Sequence, residues 1–207
     1  MQFEQGHIYH IYNQGNNKQQ IFFKREHYLF FLKKIKEFVC PYADVIAWCL
    51  MPNHFHLMVE VKEINIGITT SGGATQSRTP TGQSDNLNKS IGILLASYTR
   101  AINKQQNRSG SLFRPKTKAE CITKTEGIAP SFYNGQLSTI LNTHNPETEY
   151  PQVCFDYIHQ NPVQAGLVKH TKDWEFSSFQ DYDGLRNGTL INSECSAKFG
   201  INLEAWQ

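Results

Sequence analysis

The sequence lacks the cysteine patterns that build disulfide-bonded scaffolds and zinc-binding domains. Its cysteines are odd in number and none stands in a CxxC or Cys/His spacing that would bind zinc: Cys40, Cys49, Cys121, Cys154 and Cys195. A disulfide framework needs paired cysteines, and a structural zinc site needs closely spaced ligands. We therefore expect all of these thiols to be reduced and buried.

Long apolar runs and a strong net charge are also missing. No stretch approaches the roughly 18–20 apolar residues that a membrane-spanning helix requires, and the N-terminus has no basic region followed by an apolar segment. These absences predict a cytoplasmic protein with no membrane partner. The net charge of +2, from 20 basic and 18 acidic residues, does not by itself indicate a nucleic-acid-binding protein, so any such surface must come from local clustering.

The chain of 207 residues, 39% hydrophobic and 12% aromatic, is long enough to bury the core of one globular domain. Alternating and helical periodicities predict the order strand, helix, strand, strand, helix, strand, at residues 7–13, 25–39, 45–51, 54–61, 85–106 and 117–123. This is the order of an α+β, ferredoxin-like split βαβ fold. In that fold an antiparallel sheet carries both helices on one face and leaves the other face open.

Two segments interrupt this pattern. Residues 62–84 are rich in Gly, Ser, Thr and Gln, and residues 124–150 are irregular, so we interpret both as mobile insertions. A further helix is predicted from 151 to 161, near the open face of the sheet. We expect it to end at Pro162, because a proline disfavours helical backbone in the residue before it. Residues 1–185 are assigned to the domain, and residues 186–207 to a C-terminal tail.

The strand at residues 54–61 contains a pair of histidines. Side chains alternate along a strand, so His54 and His56 share the polar face while Phe55 and Leu57 point towards the helices. Both rings can converge on one cation, and the open face would let a substrate reach it. The alternative reading of this pattern alone is a chance pair, or two histidines that only form hydrogen bonds within the sheet.

A tyrosine and an asparagine share one face of the helix that precedes Pro162. Tyr157 and Asn161 are four residues apart, which is one helical turn. A phenol can attack phosphorus as a covalent nucleophile, and an amide oxygen is a suitable ligand for Mg²⁺ or Mn²⁺ beside two imidazoles. The alternative is a core tyrosine, since an apolar stripe runs along the same helix. His159 is expected on the surface.

Basic residues cluster between the second long helix and the last strand. Positions 100–119 hold no acidic residue and six basic ones: Arg100, Lys104, Arg108, Arg114, Lys116 and Lys118. This cluster is the predicted phosphate-binding surface. The alternative is a solvated helix end followed by a solvated loop.

Five segments together carry a family resemblance. They are residues 47–58 (AWCLMPNHFHLM), 97–103 (SYTRAIN), 110–113 (GSLF), 156–168 (DYIHQNPVQAGLV) and 173–179 (DWEFSSF). The first resembles the His-hydrophobic-His (HUH) segment of single-tyrosine transposases, and the fourth resembles the tyrosine helix of the REP-associated tyrosine transposases in particular. Five matches in the expected order, spread over most of residues 7–182, are far more specific than one short motif.

The resemblance implies a metal-dependent enzyme that cleaves and rejoins single-stranded DNA. It implies that His54 and His56 bind a divalent metal, Mg²⁺ or Mn²⁺, and that Asn161 completes the metal site. Tyr157 would attack the scissile phosphate to form a 5′-phosphotyrosine, on single-stranded DNA with a folded, hairpin-containing end. The two insertions are longer than in compact relatives.

Two other functions fit parts of the pattern. A nickase of the replication-initiator or relaxase type uses the same HUH chemistry, although the position of Tyr157 after the histidines and close to Asn161 favours a transposase. A non-catalytic ferredoxin-like domain could bind nucleic acid by base stacking, but no aromatic strand motif of the RNA-recognition type is evident. The sequence leaves the oligomeric state open between monomer and homodimer.

Overall fold

A computed structural model describes residues 2–62, 82–124 and 146–203, with the backbone alone for 82–85 and 146–149. Most of the two predicted insertions, residues 63–81 and 125–145, lies outside the described residues. The description of those two segments as mobile therefore stays a prediction.

Four strands form one antiparallel sheet. They are β1 (Ile8–Gln14), β2 (Ala43–Met51), β3 (His54–Val61) and β4 (Lys118–Cys121), in the spatial order β2-β3-β1-β4. All three neighbouring pairs are antiparallel. Together with the helices between β1 and β2 and between β3 and β4, this is the split βαβ arrangement. The predicted fold class is confirmed.

Two helices cover the first face of the sheet. Helix α1 (Arg25–Phe38) and helix α2 (Gly82–Gln105) pack on it, and α2 begins inside the segment assigned to the first insertion. Apolar residues recur along both helices at helical spacing, and they bury against the inward side chains of the strands. Phe31, Phe55 and Tyr98 lie at the centre of this core, each fully or almost fully buried.

The second face is covered over β2 and β3, so the histidines do not look out from an uncovered sheet as the sequence predicted. A third helix, α3 (Pro146–Gln164), packs against β2 and β3. Its apolar stripe of Cys154, Phe155 and Ile158 is buried in a second core with Met58 of β3. The strand residues that face α3 include Ala47, Cys49 and Met51 as well as the histidines. Without α3 these apolar side chains would form an exposed hydrophobic patch, and α3 buries them.

Helix α3 extends beyond both of its predicted ends. It begins at Pro146, within the segment read as irregular, and it continues through Pro162 to Gln164, so the prediction that it ends at Pro162 is wrong. A proline this close to the end removes only one helical hydrogen bond. The helix is ended instead by Gly166, which has a φ of +68°, while the Leu167 N–H donates to the Pro162 carbonyl oxygen at 2.9 Å. This is the hydrogen bond of a Schellman motif.

The chain after α3 covers the outer edge of β2. The Ser178 N–H donates to the Trp48 carbonyl oxygen, and the Leu50 N–H donates to the Phe176 carbonyl oxygen, both at 2.9 Å. A short helix α4 (Phe179–Tyr182) follows, and then a helix α5 (Ser193–Lys198) within the segment assigned to a tail. That segment packs on the sheet, because Cys195 is buried in the second core.

All five cysteines are free thiols, as predicted, although only Cys49, Cys154 and Cys195 are fully buried. Cys40 and Cys121 are partly exposed. Among the described residues, no helix combines the length and apolar character that a membrane span needs.

Candidate active site

The β2–β3 hairpin places both histidines of the predicted pair on the second face of the sheet. Its two-residue turn pairs Met51 with His54, so His54 is the first residue of β3. His56 follows on the same side of the pleat. The two imidazole rings are nearly perpendicular, with centroids 5.0 Å apart.

Helix α3 brings Tyr157 and Asn161 to these rings. The ring of Tyr157 meets the ring of His56 edge-on, with centroids 5.4 Å apart. One turn later, the Oδ1 atom of Asn161 lies 3.2 Å from the Nε2 atom of His54. The structure therefore brings together all four residues that the sequence analysis proposed for the metal and for the chemistry.

The cover that α3 provides makes this a buried site. His56 is only 5% exposed and Asn161 is 8% exposed. Burial lowers the pKa of His54, and it holds the pKa of His56 well below its usual range, with His10 and His54 contributing further. Both imidazoles are therefore neutral near pH 7. The neutral form is the one that offers a nitrogen lone pair to a metal.

The hydrogen bonds around His54 test whether a divalent cation fits. The Nδ1 atom of His54 lies 2.6 Å from the Oδ1 atom of Asn53. A carbonyl-type oxygen can only accept, so Nδ1 carries the proton of the neutral ring and Nε2 carries a lone pair. That lone pair faces the Oδ1 atom of Asn161, which is itself an acceptor. Two acceptors at 3.2 Å are compatible when a cation lies beside both of them.

Two buried polar atoms of this site also lack hydrogen-bond partners. The Nε2 atom of His56 is buried without a hydrogen-bond partner, and so is the Nδ2 atom of Asn161. Buried polar atoms are seldom left unpaired. Within the described segments, no three His, Cys, Asp or Glu side chains are grouped so as to hold a metal. The Asn161 amide oxygen lies beside the His54 ring, so it is the side-chain oxygen that could hold a divalent cation together with the two imidazoles.

A cavity of about 260 Å³ lies in front of Tyr157. His54, His56 and Tyr157 line it, together with three exposed basic residues, Arg114, Lys116 and Lys118. A phosphate that entered this cavity would meet cationic side chains and the phenol in the same space.

The structure divides the predicted basic surface into two parts. Arg114, Lys116 and Lys118 belong to the cavity, whereas Arg100 and Lys104 are exposed on α2, which packs on the opposite face of the sheet. Arg108 follows α2 and its guanidinium donates to Gln19 Oε1. Sequence proximity grouped these six residues, but the sheet separates them.

Three further residues that no sequence motif indicated share this face. His10 and Tyr12 lie on β1, and Glu120 lies on β4. The Nε2 atom of His10 is 2.9 Å from the Nδ1 atom of His56, and the Tyr12 hydroxyl donates to a Glu120 carboxylate oxygen at 2.6 Å. Alternation along β1 indicates that His10 and Tyr12 point the same way. It does not say that they point to the side of His56, because that depends on strand register.

The expectation that His159 is a surface residue is wrong. Its ring is fully buried on α3, and its Nε2 atom is 2.8 Å from the hydroxyl oxygen of Ser178. Burial lowers the pKa of His159 to about 3. His159 therefore helps to join α3 to the edge of β2, and it does not line the cavity.

Comparisons with known proteins agree with the family resemblance. No protein-family model matches the chain. A protein of Haemophilus influenzae that carries the name REP-associated tyrosine transposase is 22% identical over 145 residues, which is 66% of this chain and 58% of that protein. This chain thus spans less than two thirds of that relative.

A solved structure shares the fold. It is a REP-associated tyrosine transposase bound to a REP hairpin, with 18% sequence identity, a TM-score of 0.57, and coverage of 89% of this chain and 83% of the other. The resemblance to the REP-associated tyrosine transposases that the sequence motifs indicate is thereby confirmed.

Proposed function

We propose that this protein is a DNA transposase that cleaves and rejoins single-stranded DNA through a phosphotyrosine at Tyr157. One observation carries the proposal. The phenol of Tyr157 and two candidate metal ligands, His54 and His56, line one cavity together with basic side chains, and the third candidate ligand, Asn161, contacts His54 beside it. A phenol, a cation site and phosphate-binding charges are together what a phosphodiester transesterification requires.

His54, His56 and Asn161 are the residues that would hold a divalent metal, Mg²⁺ or Mn²⁺. When bound, such an ion polarises the non-bridging oxygens of a phosphate and offsets the charge that develops on them. The chain contributes two neutral imidazoles whose protonation does not compete near pH 7. It also contributes an amide oxygen held on the same helix as the nucleophile.

Tyr157 supplies the covalent chemistry. Its phenolic oxygen forms a bond to the scissile phosphorus while the bond from phosphorus to the 3′ oxygen breaks, and the proton lost by the phenol is balanced by the proton gained by the departing 3′ oxygen. The 5′ end of the DNA stays attached to the tyrosine. Because one phosphate ester replaces another, a 3′-hydroxyl can reverse the step and join strands without ATP.

Single-stranded DNA with a hairpin is the proposed substrate. The related transposase structure contains a REP hairpin, and the cavity of this chain offers Arg114, Lys116 and Lys118 to a phosphate backbone. The remaining basic residues of the predicted surface, Arg100, Lys104 and Arg108, do not line this cavity, and we expect them to contribute much less to DNA binding than the three cavity residues.

A covalent-adduct assay tests the nucleophile. With Mn²⁺ and single-stranded DNA carrying the hairpin that flanks the gene, the wild-type protein should form an adduct that survives denaturing electrophoresis. Tyr157→Phe should lose the adduct and keep DNA binding, because only the hydroxyl is removed. Tyr182→Phe is the matched control, since the Tyr182 hydroxyl donates to the Ile46 carbonyl oxygen and does not line the cavity. An adduct on the Tyr157→Phe protein would refute the assignment.

A second variant tests the metal ligands. His56→Ala should lose cleavage and lose Mn²⁺ binding measured by calorimetry, while binding of the hairpin DNA persists. A His56→Ala protein that still binds Mn²⁺ with wild-type affinity would exclude His56 as a ligand. A wild-type protein that binds the hairpin but never forms an adduct would favour the non-catalytic alternative.

A further inference from the structure

A third histidine lies directly behind the candidate metal site. His10, on β1, is 7% exposed, and its ring stacks on that of His56 with centroids 5.1 Å apart and planes 21° apart. The Nε2 atom of His10 is 2.9 Å from the Nδ1 atom of His56. His10 therefore contacts the nitrogen of His56 that would not bind a metal.

This contact has only two neutral forms. Either Nδ1 of His56 carries a proton and donates it to His10, or Nε2 of His10 carries a proton and donates it to His56. In the second form the other nitrogen of His56, Nε2, must also carry a proton. That N–H would be buried without an acceptor, since Nε2 of His56 has no partner in the structure, and an unpaired buried donor is unfavourable.

The first form leaves a lone pair on Nε2 of His56. That atom lies on the side of the ring away from His10, and the neighbouring His54 also presents Nε2 towards Asn161. Outer hydrogen-bond partners of this kind fix the tautomer and orientation of metal-binding histidines. More usual partners are carboxylates and backbone carbonyls, and here a second imidazole takes that place.

We propose that His10 is a positioning residue, which holds His56 as the Nδ1-protonated tautomer and thereby keeps the Nε2 lone pair of His56 available to a divalent cation. The inference rests on the proposed metal site. It assigns a role to a residue that neither the motifs nor the HUH pattern includes.

Nuclear magnetic resonance of the metal-free protein tests the tautomer directly. In ¹⁵N-labelled wild-type protein, long-range ¹H–¹⁵N correlations of His56 should show a protonated Nδ1 and an unprotonated Nε2. In His10→Phe, a ring without an acceptor, this pattern should be lost or become mixed. In His10→Gln it should be kept, because the Gln side-chain oxygen can reach the position of the His10 Nε2 atom. A wild-type His56 protonated at Nε2 would overturn the proposal without any variant.

Mn²⁺ affinity, measured by electron paramagnetic resonance of the free ion, is the second readout. His10→Phe should bind Mn²⁺ about 10- to 100-fold more weakly than wild type, and His10→Gln should recover most of the loss. His27→Phe is the matched control, because His27 is also buried and hydrogen-bonded but lies on α1, on the other face of the sheet. It should leave the Mn²⁺ affinity unchanged whatever it does to stability.

The outcomes separate this inference from the proposed function. If the wild-type protein binds no Mn²⁺, the metal site itself is refuted, and the role of His10 towards it falls with it. If the wild-type protein binds Mn²⁺ and the folded His10→Phe protein binds it equally well, only the role of His10 is refuted. If His10→Phe does not fold, the His56 tautomer of the wild type and the Mn²⁺ affinity of His10→Gln still test the proposal. A folded His10→Gln protein that keeps the His56 tautomer but loses Mn²⁺ binding contradicts it.

Discussion

The division of the basic residues by the sheet leads to a quantitative prediction about salt. Lys116 and Lys118 line the cavity of Tyr157, whereas Arg100 and Lys104 lie on the exposed surface of α2 on the far side of the sheet. The double variants Lys116→Gln/Lys118→Gln and Arg100→Gln/Lys104→Gln change the net charge by the same amount. A general effect of charge would weaken DNA binding equally in both, and a local effect would not.

The magnitude follows from counterion release. Each phosphate contact to single-stranded DNA contributes about −0.7 to the slope of log affinity against log salt. Removing two contacts should therefore flatten the slope by about 1.4 units. Over a fourfold change in salt, from about 200 mM to about 50 mM, the affinity gap between wild type and the cavity variant should widen about sevenfold. The α2 variant should keep a slope close to wild type.

Fluorescence anisotropy with a labelled hairpin-containing strand measures these slopes. All proteins would carry Tyr157→Phe so that no covalent adduct accumulates during the titration. The reasoning is refuted if the α2 variant loses as much slope as the cavity variant, or more. Equal losses would mean that the DNA responds to total charge, and a larger loss in the α2 variant would place the DNA path on the helical face.

Two further predictions concern stability and are measured by chemical denaturation. Ser178→Ala should destabilise the fold by about 2–4 kcal/mol, because two buried groups would lose their hydrogen-bond partner. The Ser178 hydroxyl contacts the His159 ring at 2.8 Å and accepts from the Trp48 backbone N–H at 2.9 Å. An unchanged midpoint would show that these hydrogen bonds between α3 and β2 do not stabilise the fold. Gly15→Ala should cost about 1–3 kcal/mol, because its new methyl carbon would lie 2.0 Å from the Gln19 carbonyl oxygen; a neutral result would mean that this turn relaxes freely.

Local periodicity was enough to predict the two halves of the site. Strand alternation places His54 and His56 on one face whatever the strand pairs with, and helical spacing places Tyr157 and Asn161 together whatever the helix packs on. The fold class followed in the same way from the order of the elements. These are properties of short segments, so they can be read from one sequence.

Properties that depend on pairing could not be predicted in this way. Tyr12 stands opposite His56 and Lys118 stands opposite Tyr12 only because of the register of β1 with β3 and β4. A shift of one residue would turn His10 and Tyr12 to the other face of the sheet. The sequence contains no local signal for that register, which is why His10 was missed although its strand was predicted.

The covering of the second face was the largest difference from the expectation, and it bears on the chemistry. An open sheet would leave the imidazoles in water, where His54 and His56 would have ordinary pKa values and would be partly protonated near pH 6.5. With α3 in place, burial lowers both pKa values, so protons compete less with a cation for the nitrogen lone pairs. The same helix carries Tyr157 and Asn161. Packing of α3 on the sheet therefore brings the phenol to the cavity, puts the amide oxygen in place and keeps the imidazoles neutral. Loosening that packing should impair all three together.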